Sequence, residues 1–350
     1  MKKVLLAGLI LCFFSACQKR DKIEDTERAF YYWKSDQSGL DAKEQSLLDT
    51  LKIKKLYIKF FEVKYDATMG NIPFAKTGFD GYYYRNPDKP KPTLNLIPTV
   101  FIKNDVFLKS SRSELDTLAN NVSHLVSKFY GEKFNEYKKY TEIQIDCDWT
   151  LKSKDSYFYF LKKMTQVSGK KLSCTLRLYP YKYRTKMGIP PVSSATLMCY
   201  NLIQPFSENS KNSILDIKEL ESYLTTDEKY PIHLDVALPV FSWAHHYQYD
   251  AFKEFVKLDK DFLKKACDKK SELWYEVKKD TSIGNSYFRV GDKIKYEDVS
   301  QYKVNEAIKA LKSKVKFDKK ITVTFFHLDS SLVKKYNYET LNRFYTSFSN

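Results

Sequence analysis

The sequence lacks the residue clusters that would indicate a metal or nucleic-acid site. Its six cysteines never occur at a short spacing such as C-x-x-C, and the adjacent His245 and His246 alone are too few ligands for a metal site. Arginine forms no cluster, and the net charge of +16 comes mainly from lysines spread along the chain, often between acids. We therefore predict no metal, no cofactor and no nucleic-acid partner, with the lysines forming a solvated surface.

Long apolar runs are absent except at the N-terminus. Residues 1–16 begin with two lysines and continue with an apolar run that is too short to cross a bilayer, which takes about 20 residues. This pattern predicts a secretory signal peptide. The stretch FSAC, ending at Cys17, resembles the lipobox of bacterial lipoproteins, although Phe14 stands where leucine is usual. The resemblance implies acylation of Cys17 and a lipidated linker over residues 17–28, and plain secretion is the alternative.

Strand-like and helical patterns alternate over residues 29–350. Eight strand-like runs predict parallel strands joined by right-handed helical crossovers, and eight is the number that closes a (β/α)8 TIM barrel. One helical pattern opens on a capping box formed by Ser111 and Glu114. The strand-like runs are AFYYWKS (29–35), KLYIKFFEV (55–63), LIPTVFI (96–102), EIQIDCDWT (142–150), KLSCTLRL (171–178), ATLMCYN (195–201), PIHLDVALPVF (231–241) and ITVTFFHLD (321–329).

Two links depart from the ideal barrel. Residues 64–95 predict a long irregular loop in place of the second helix. Residues 272–299 alternate around Gly284 and Asn285, which predicts a β-hairpin inserted between the seventh and eighth strands. The preceding stretch YDAFKEFVKLDKDFLKKAC (249–267) predicts a helix. Nothing in the sequence requires a second folded domain.

The fourth strand-like run has a polar residue at every second position. In EIQIDCDWT, Glu142, Gln144, Asp146 and Asp148 alternate with apolar residues, whereas strands covered on both faces usually read as continuous apolar runs. Alternate residues of a barrel strand point to its axis, and active sites form where the strands end. We therefore place all four inside the barrel, with Asp146 and Asp148 at the rim. Their mutual repulsion should raise one pKa.

Other strands supply candidate residues for the same lumen. Alternation points Arg177 inward on the fifth strand, Asp235 on the seventh and Lys59 on the second. Opposite charges on different strands would compensate one another. A purely structural role is the alternative for the deeper residues Glu142, Gln144, Lys59 and Asp235. Glu62 ends the second strand and could add a carboxylate across the mouth. Its parity points it away from Lys59, so an ion pair facing the helices is the alternative.

Two strand ends resemble a known family. DCDW at 146–149 is similar to the end of the signature D-x-x-D-x-D-x-E of family-18 (chitinase-like) glycoside hydrolases, and MCYN at 198–201 to that family's M-x-Y-D. The resemblance implies a TIM barrel with an insertion after the seventh strand and substrate binding at Tyr200 and Asn201. Thr150 stands where the family has its acid, and threonine is no general acid at neutral pH. The whole chain is also similar to a group of Bacteroidota lipoproteins with the same strand ends.

Aromatic residues complete the predicted mouth. Trp33 ends the first strand, and Trp243 and His245 follow the seventh. Aromatic faces at a barrel mouth suit sugar rings, so we predict a carbohydrate ligand.

Two interpretations of this mouth remain open. In an enzymatic version, one carboxyl among Asp146, Asp148 and Glu62 acts as the acid, and another stabilises charge at the anomeric carbon. Lys59 and Arg177 would set their pKa values. A non-catalytic glycan-binding or structural surface lipoprotein is the alternative, and Thr150 favours it.

The predicted anchor sets the expected location. A lipoprotein of this kind would reside in the outer membrane, facing the periplasm or the cell surface, with a membrane and a glycan as its partners. A third hypothesis assigns the excess of lysine to an acidic polymer or a membrane surface, and that binding would weaken steeply with salt.

Overall fold

The computed structural model describes residues 22–34, 39–79, 94–134, 140–206, 210–225, 228–331 and 335–349. The helices, numbered in chain order, are α1 (Ala42–Thr50), α2 (Asn104–Lys109), α3 (Arg112–Phe134), α4 (Lys154–Ser168), α5 (Leu178–Lys182), α6 (Arg184–Met187), α7 (Ile217–Tyr223), α8 (Lys260–Ala266), α9 (Gln301–Lys314) and α10 (Tyr338–Thr346). The strands are β1 (Asp25–Tyr32), β2 (Lys55–Asp66), β3 (Gly70–Phe74), β4 (Asn95–Ile102), β5 (Glu142–Asp146), β6 (Lys171–Arg177), β7 (Ser194–Met198), β8 (His233–Pro239), β9 (Ser242–Gln248), β10 (Ala251–Val256), β11 (Cys267–Lys269), β12 (Trp274–Val277), β13 (Thr281–Ile283), β14 (Ser286–Phe288), β15 (Lys293–Asp298) and β16 (Lys320–Phe326).

Eight of these strands form a closed parallel barrel. They pair in the order β1, β16, β8, β7, β6, β5, β4 and β2, and β1 also pairs with β2, which closes the ring. Helices follow most of the strands and cover the outside of the barrel, so the apolar residues between helices and strands form one continuous core. The predicted (β/α)8 TIM barrel is confirmed. We call the end of the barrel at which its parallel strands terminate the mouth.

Local sequence signals begin several of the covering helices. At the start of α3 the Ser111 amide donates to the Glu114 carboxylate at 2.7 Å, and the Glu114 amide donates to the Ser111 hydroxyl at 3.3 Å. The predicted capping box is therefore confirmed. Asp41 and Glu44 form a second one before α1, which the sequence analysis missed.

The predicted loop after the second strand is partly wrong. β2 continues to Asp66, and the chain returns antiparallel as β3, so residues 64–74 form a hairpin that extends the barrel wall. Polar residues flank Tyr65 in the continuation of β2, and such alternation is typical of a strand. The remainder of the predicted loop lies largely outside the described residues.

A second sheet is inserted between β8 and α9. Its antiparallel strands pair in the order β10, β9, β15, β12 and β11, and we call it the insertion sheet. The predicted hairpin is confirmed as β13 and β14, with Gly284 in the left-handed region at φ +56°. The insertion begins at Ser242, earlier than predicted, and the predicted helix at 249–267 is wrong over β10. A small separate core holds the insertion together, which explains why the hairpin is part of a larger unit.

The predicted anchor cannot be placed, because Cys17 and residues 1–16 lie outside the described residues. Within the described ranges, no helix combines the length and the apolar character needed to span a membrane. Four cysteines, namely Cys147, Cys174, Cys199 and Cys267, are buried as free thiols.

Candidate functional site

Polar pairs between β5 and β6 line one side of the lumen. The Ser173 hydroxyl donates to Glu142 at 2.6 Å, and the Thr175 hydroxyl donates to Asp146 at 2.5 Å. All four side chains are buried, and they occupy the alternating positions that the sequence predicts to face inward. The polar face of EIQIDCDWT therefore points into the barrel.

Gln144 shows that this polar face reaches across the lumen. Its side-chain oxygen accepts from the Tyr31 hydroxyl of β1 at 2.8 Å, and its amide donates to the Thr196 hydroxyl of β7 at 3.2 Å. Because β5 is a neighbour of neither β1 nor β7, both hydrogen bonds cross the interior. The middle of the barrel is thus filled by side chains.

Asp146 is the most perturbed acid of the mouth. Burial raises the pKa of its carboxyl to about 7, and the neighbouring Asp148 carboxylate adds to the rise. The Thr175 hydrogen bond and the Arg177 charge oppose this shift, and Glu62 adds to it from β2. The predicted raising of one pKa in the pair of aspartates therefore occurs at Asp146. This carboxyl exchanges a proton close to neutral pH.

Asp148 stands above it at the rim and is held by Arg177. The guanidinium donates to both carboxylate oxygens, from Nε at 2.5 Å and from Nη2 at 2.9 Å. Its Nη1 donates to the Asn201 carbonyl at 3.2 Å. Such a forked pair fixes both partners in one geometry. Arg177 thereby ties the ends of β6 and β7 to the carboxylate after β5.

Asn201 has an unusual backbone at the end of β7. Its φ is +51°, in the left-handed region that asparagine tolerates better than most residues. Its side-chain oxygen is buried and has no hydrogen-bond partner among the described residues. Because this oxygen is shielded from solvent, a ligand does not reach it in this structure.

Thr150 takes part in the turn that precedes α4. Its amide donates to the Ser153 hydroxyl at 2.9 Å. Ser153 in turn donates to the Asn104 side chain at 2.5 Å. The position at which the resembling family carries its acid is therefore engaged in local turn structure.

A β-bulge brings Glu62 into the mouth, so the parity argument for Glu62 is wrong. Lys59 pairs with Thr99 and Phe61 with Val100, which leaves one extra residue in β2 between them. That extra residue reverses the alternation. The Glu62 carboxylate lies 2.7 Å from the Lys59 ammonium on the same side of the strand.

Aromatic rings form one wall of the mouth around Phe326, the last residue of β16. Its ring centroid lies 5.7 Å from that of Trp33, 4.8 Å from Tyr200 and 5.6 Å from Phe241. Trp33 and Phe241 are partly exposed. The Lys59 ammonium lies 5.8 Å from the Trp33 ring centroid, which joins the aromatic wall to the carboxylate of Glu62.

Asp235 lies at the opposite end of the barrel from the mouth. It sits near the start of β8, where its carboxylate accepts from the Thr322 amide at 2.6 Å and contacts His233 at 3.2 Å. The nearby Lys55 pairs with Glu27 at 2.8 Å. Asp235 therefore does not line the mouth, because alternation decides the face of a strand but not the depth.

His245 is completely buried within the insertion. Its ring packs 4.9 Å from the Phe255 ring and lies 3.5 Å from the Glu297 carboxylate. His245 is enclosed by aromatic rings and does not line the mouth, contrary to its predicted place. Trp243 is only partly buried, donates to Glu297 at 2.7 Å and contacts Phe241 edge to face at 5.5 Å. It therefore borders the mouth from the side of the insertion.

Phe241 and Phe326 belong to the mouth but were not predicted as mouth residues. Each follows the apolar pattern of a buried strand, so nothing in composition separates it from the core. The only available signal was position, because Phe326 lies in the last part of the eighth strand-like run. Among the residues that the structure describes, no group of histidine, cysteine, aspartate and glutamate could hold a metal ion.

The chemistry of the mouth follows from these contacts. It combines one carboxyl that exchanges a proton near pH 7, one ionic pair at the rim and partly exposed aromatic rings. Such a site can hydrogen-bond hydroxyl groups and pack against the apolar face of a ring.

Comparison with solved structures finds other barrels with very low sequence identity. A chitinase-like agglutinin from Robinia pseudoacacia is 12% identical, with 91% of this chain and 99% of that chain covered and a TM-score of 0.45. A GH18 chitinase from Cycas revoluta, solved with (GlcNAc)3, is 10% identical, with 93% and 100% covered and a TM-score of 0.46. A tamarind chitinase-like lectin is 9% identical, with 92% and 98% covered and a TM-score of 0.39.

At these identities the likeness concerns the fold alone. Neither a protein-family model nor a sequence among the curated proteins matches this chain. The function is therefore inferred from the geometry of the mouth.

Proposed function

We propose that this protein binds a carbohydrate at the mouth of its barrel. The observation that carries the proposal is the meeting of partly exposed aromatic rings, Trp33, Phe241 and Phe326, with the half-exposed carboxylate of Asp148. A sugar ring presents an apolar face and a rim of hydroxyl groups, so it needs both kinds of surface at once.

Binding without hydrolysis fits the internal partners of the acids. Asp146 accepts from Thr175, and Asp148 is clamped by Arg177. Glu62 is paired with Lys59. Each carboxylate is thus engaged within the protein, and Thr150 supplies no acid. The mouth is built as a recognition surface in this interpretation.

Hydrolysis is the second candidate, and one observation favours it. With a pKa of about 7, Asp146 carries a proton in a large fraction of molecules at neutral pH and could deliver it to a glycosidic oxygen. The rate would then fall as the pH rises above 7, because the protonated form is lost.

A glycan panel separates these candidates. The chain beginning at residue 18 is titrated with neutral oligosaccharides while released products are followed by chromatography. We expect binding that weakens about tenfold in Trp33→Ala, since a stacked ring contributes on the order of 1 kcal/mol. Tyr302→Ala removes an exposed aromatic residue on α9, outside the mouth, and is the matched control.

The outcomes of this titration distinguish the two readings. Binding without products supports recognition alone, and products that disappear in Asp146→Asn support hydrolysis. Equal affinities in wild type, Trp33→Ala and Asp148→Asn would exclude the mouth as the binding site. Affinity that instead collapses with added salt would favour an acidic polymer at the lysine-rich surface.

We further propose that the mature protein is a lipoprotein anchored through Cys17 in the outer membrane. The N-terminal sequence supports this, with its basic start, short apolar run and FSAC stretch. Metabolic labelling with an alkyne fatty acid should mark wild type and not Cys17→Ser. Protease treatment of intact cells then tells a surface-facing protein from a periplasmic one. Label retained in Cys17→Ser would refute the anchor.

A further inference from the structure

The insertion sheet carries a cavity of about 500 Å³. The cavity lies over β9, β12 and β15, and its wall includes Tyr247, Trp274 and Tyr275. No residue of the barrel mouth lines it. Its volume lies within the range of small-ligand sites, which is roughly 300–1,000 Å³.

Two of its rings form a corner on one face of the sheet. Tyr247 of β9 lies opposite Lys293 of β15, and Trp274 of β12 lies opposite Lys295, so the two aromatic residues stand diagonally across β15. Their ring centroids are 5.3 Å apart and their planes meet at 45°. Both side chains are partly exposed, so an apolar ligand face has access to the rings.

Four charged residues surround these rings, and they neutralise each other in pairs. The Lys293 ammonium lies 2.6 Å from the Asp250 carboxylate, and the Lys270 ammonium lies 3.3 Å from Glu276. All four side chains are between 41% and 76% exposed, so they remain accessible as hydrogen-bond donors and acceptors. The cavity therefore has no net charge from these residues, which disfavours an anionic or cationic ligand.

We propose that this cavity is a second saccharide-binding site that takes an uncharged sugar ring. The apolar face of the ring packs on Trp274 and Tyr247, and its hydroxyl groups bond to Asp250, Glu276 and the two lysines. The site is separate from the barrel mouth, so the protein engages carbohydrate at two places. This inference stands on the cavity and does not require the mouth to bind a glycan.

The four tryptophans of the chain allow both sites to be observed together. Protein starting at residue 18 is labelled with 5-fluorotryptophan and titrated with chitotriose, cellotriose, xylotriose and mannotriose under ¹⁹F NMR. Trp33 reports on the mouth and Trp274 on the cavity. Trp149, which is 5% exposed, is the internal control.

We expect at least one sugar to shift the Trp274 signal with saturation, at a midpoint unchanged by Trp33→Ala. Tyr247→Ala should abolish that shift. Glu276→Gln keeps the shape and should weaken it about threefold to tenfold, since one hydrogen bond is lost or weakened. Glu276→Gln preserves the core of the sheet. It therefore still tests the site if Tyr247→Ala loses the Trp274 shift through misfolding.

A shift of Trp33 with no shift of Trp274 would overturn the second site while leaving the mouth intact. Shifts of both signals that vanish together in Trp33→Ala would also overturn it, because they would indicate one extended site. If neither signal moves with any sugar, the cavity and the mouth both fail as saccharide sites.

Discussion

Replacing Asp146 by asparagine tests the electrostatics of the mouth. Asp146 is buried, and its pKa of about 7 lies above its ordinary value of 3.8. The unfolded chain loses this proton near pH 4, whereas the folded protein keeps it until about pH 7. The stability contributed by the group is fully present below pH 3.8 and is lost as the pH rises to the folded pKa.

The size of the effect follows from one retained proton. Where the folded state holds one proton more than the unfolded state, the free energy of unfolding falls by about 1.4 kcal/mol per pH unit. Wild type should therefore lose about 3 kcal/mol from this group between pH 5 and pH 8, most of it below pH 7. Asp146→Asn has no proton to lose, and its amide oxygen can still accept from Thr175.

Urea unfolding of the chain beginning at residue 18 measures this difference. Wild type and Asp146→Asn are compared at pH 5, 6, 7 and 8, and the variant should gain about 3 kcal/mol on wild type across that range. Asp155→Asn, which removes an exposed carboxylate on α4, controls for the change of one charge. Parallel pH profiles for wild type and Asp146→Asn would refute the raised pKa and, with it, the proton available for hydrolysis.

Three other positions give independent predictions. Asp148→Asn removes a charge that raises the pKa of Asp146. ¹³C NMR should therefore show the Asp146 carboxyl titrating at lower pH. An unchanged titration midpoint would count against electrostatic coupling between Asp146 and Asp148. The hydrogen bond to Asp235 raises the pKa of His233. The stabilising effect of this hydrogen bond is lost as the pH rises through the raised pKa. The free energy of unfolding of His233→Gln should therefore depend less on pH in that range. Gly188→Ala should destabilise by about 1–3 kcal/mol, because φ is +79° and the added Cβ would lie 3.0 Å from Phe158. Equal midpoints for Gly188→Ala and wild type in urea would contradict this reading.

Residue alternation predicted the polar lumen because barrel strands keep their period of two. It failed where the backbone breaks that period. The bulge in β2 adds one residue after Lys59, so counting from Lys59 assigns Glu62 to the wrong face. A single sequence carries no mark of such a bulge, because Phe60 and Phe61 are equally apolar.

The sequence also does not reveal how deep a residue lies in the barrel or how it packs against residues distant in the chain. Asp235 and Asp146 have the same inward parity, yet one lies near the start of its strand and the other at the end. His245 follows the seventh strand as a mouth residue would, but the insertion sheet extends further back than the predicted hairpin and encloses it. Both errors arise because pairing partners distant in the chain decide which end of a strand meets solvent.

The order of partners along β6 explains why a strand such as EIQIDCDWT can be buried. Ser173 and Thr175 face the two deeper acids, and Arg177 faces Asp148 at the rim. A hydroxyl donates one hydrogen bond and carries no charge, so it does not compensate a buried carboxylate as a guanidinium does. The carboxylate with a full opposite charge, Asp148, is therefore the one that water also reaches. Asp146, one step below it, keeps its proton up to about pH 7.

It follows that a ligand drawing Arg177 away from Asp148 would raise the pKa of Asp146 further, because Arg177 is one of the groups that lower it. Binding at the rim and protonation below it are thus coupled through one arginine.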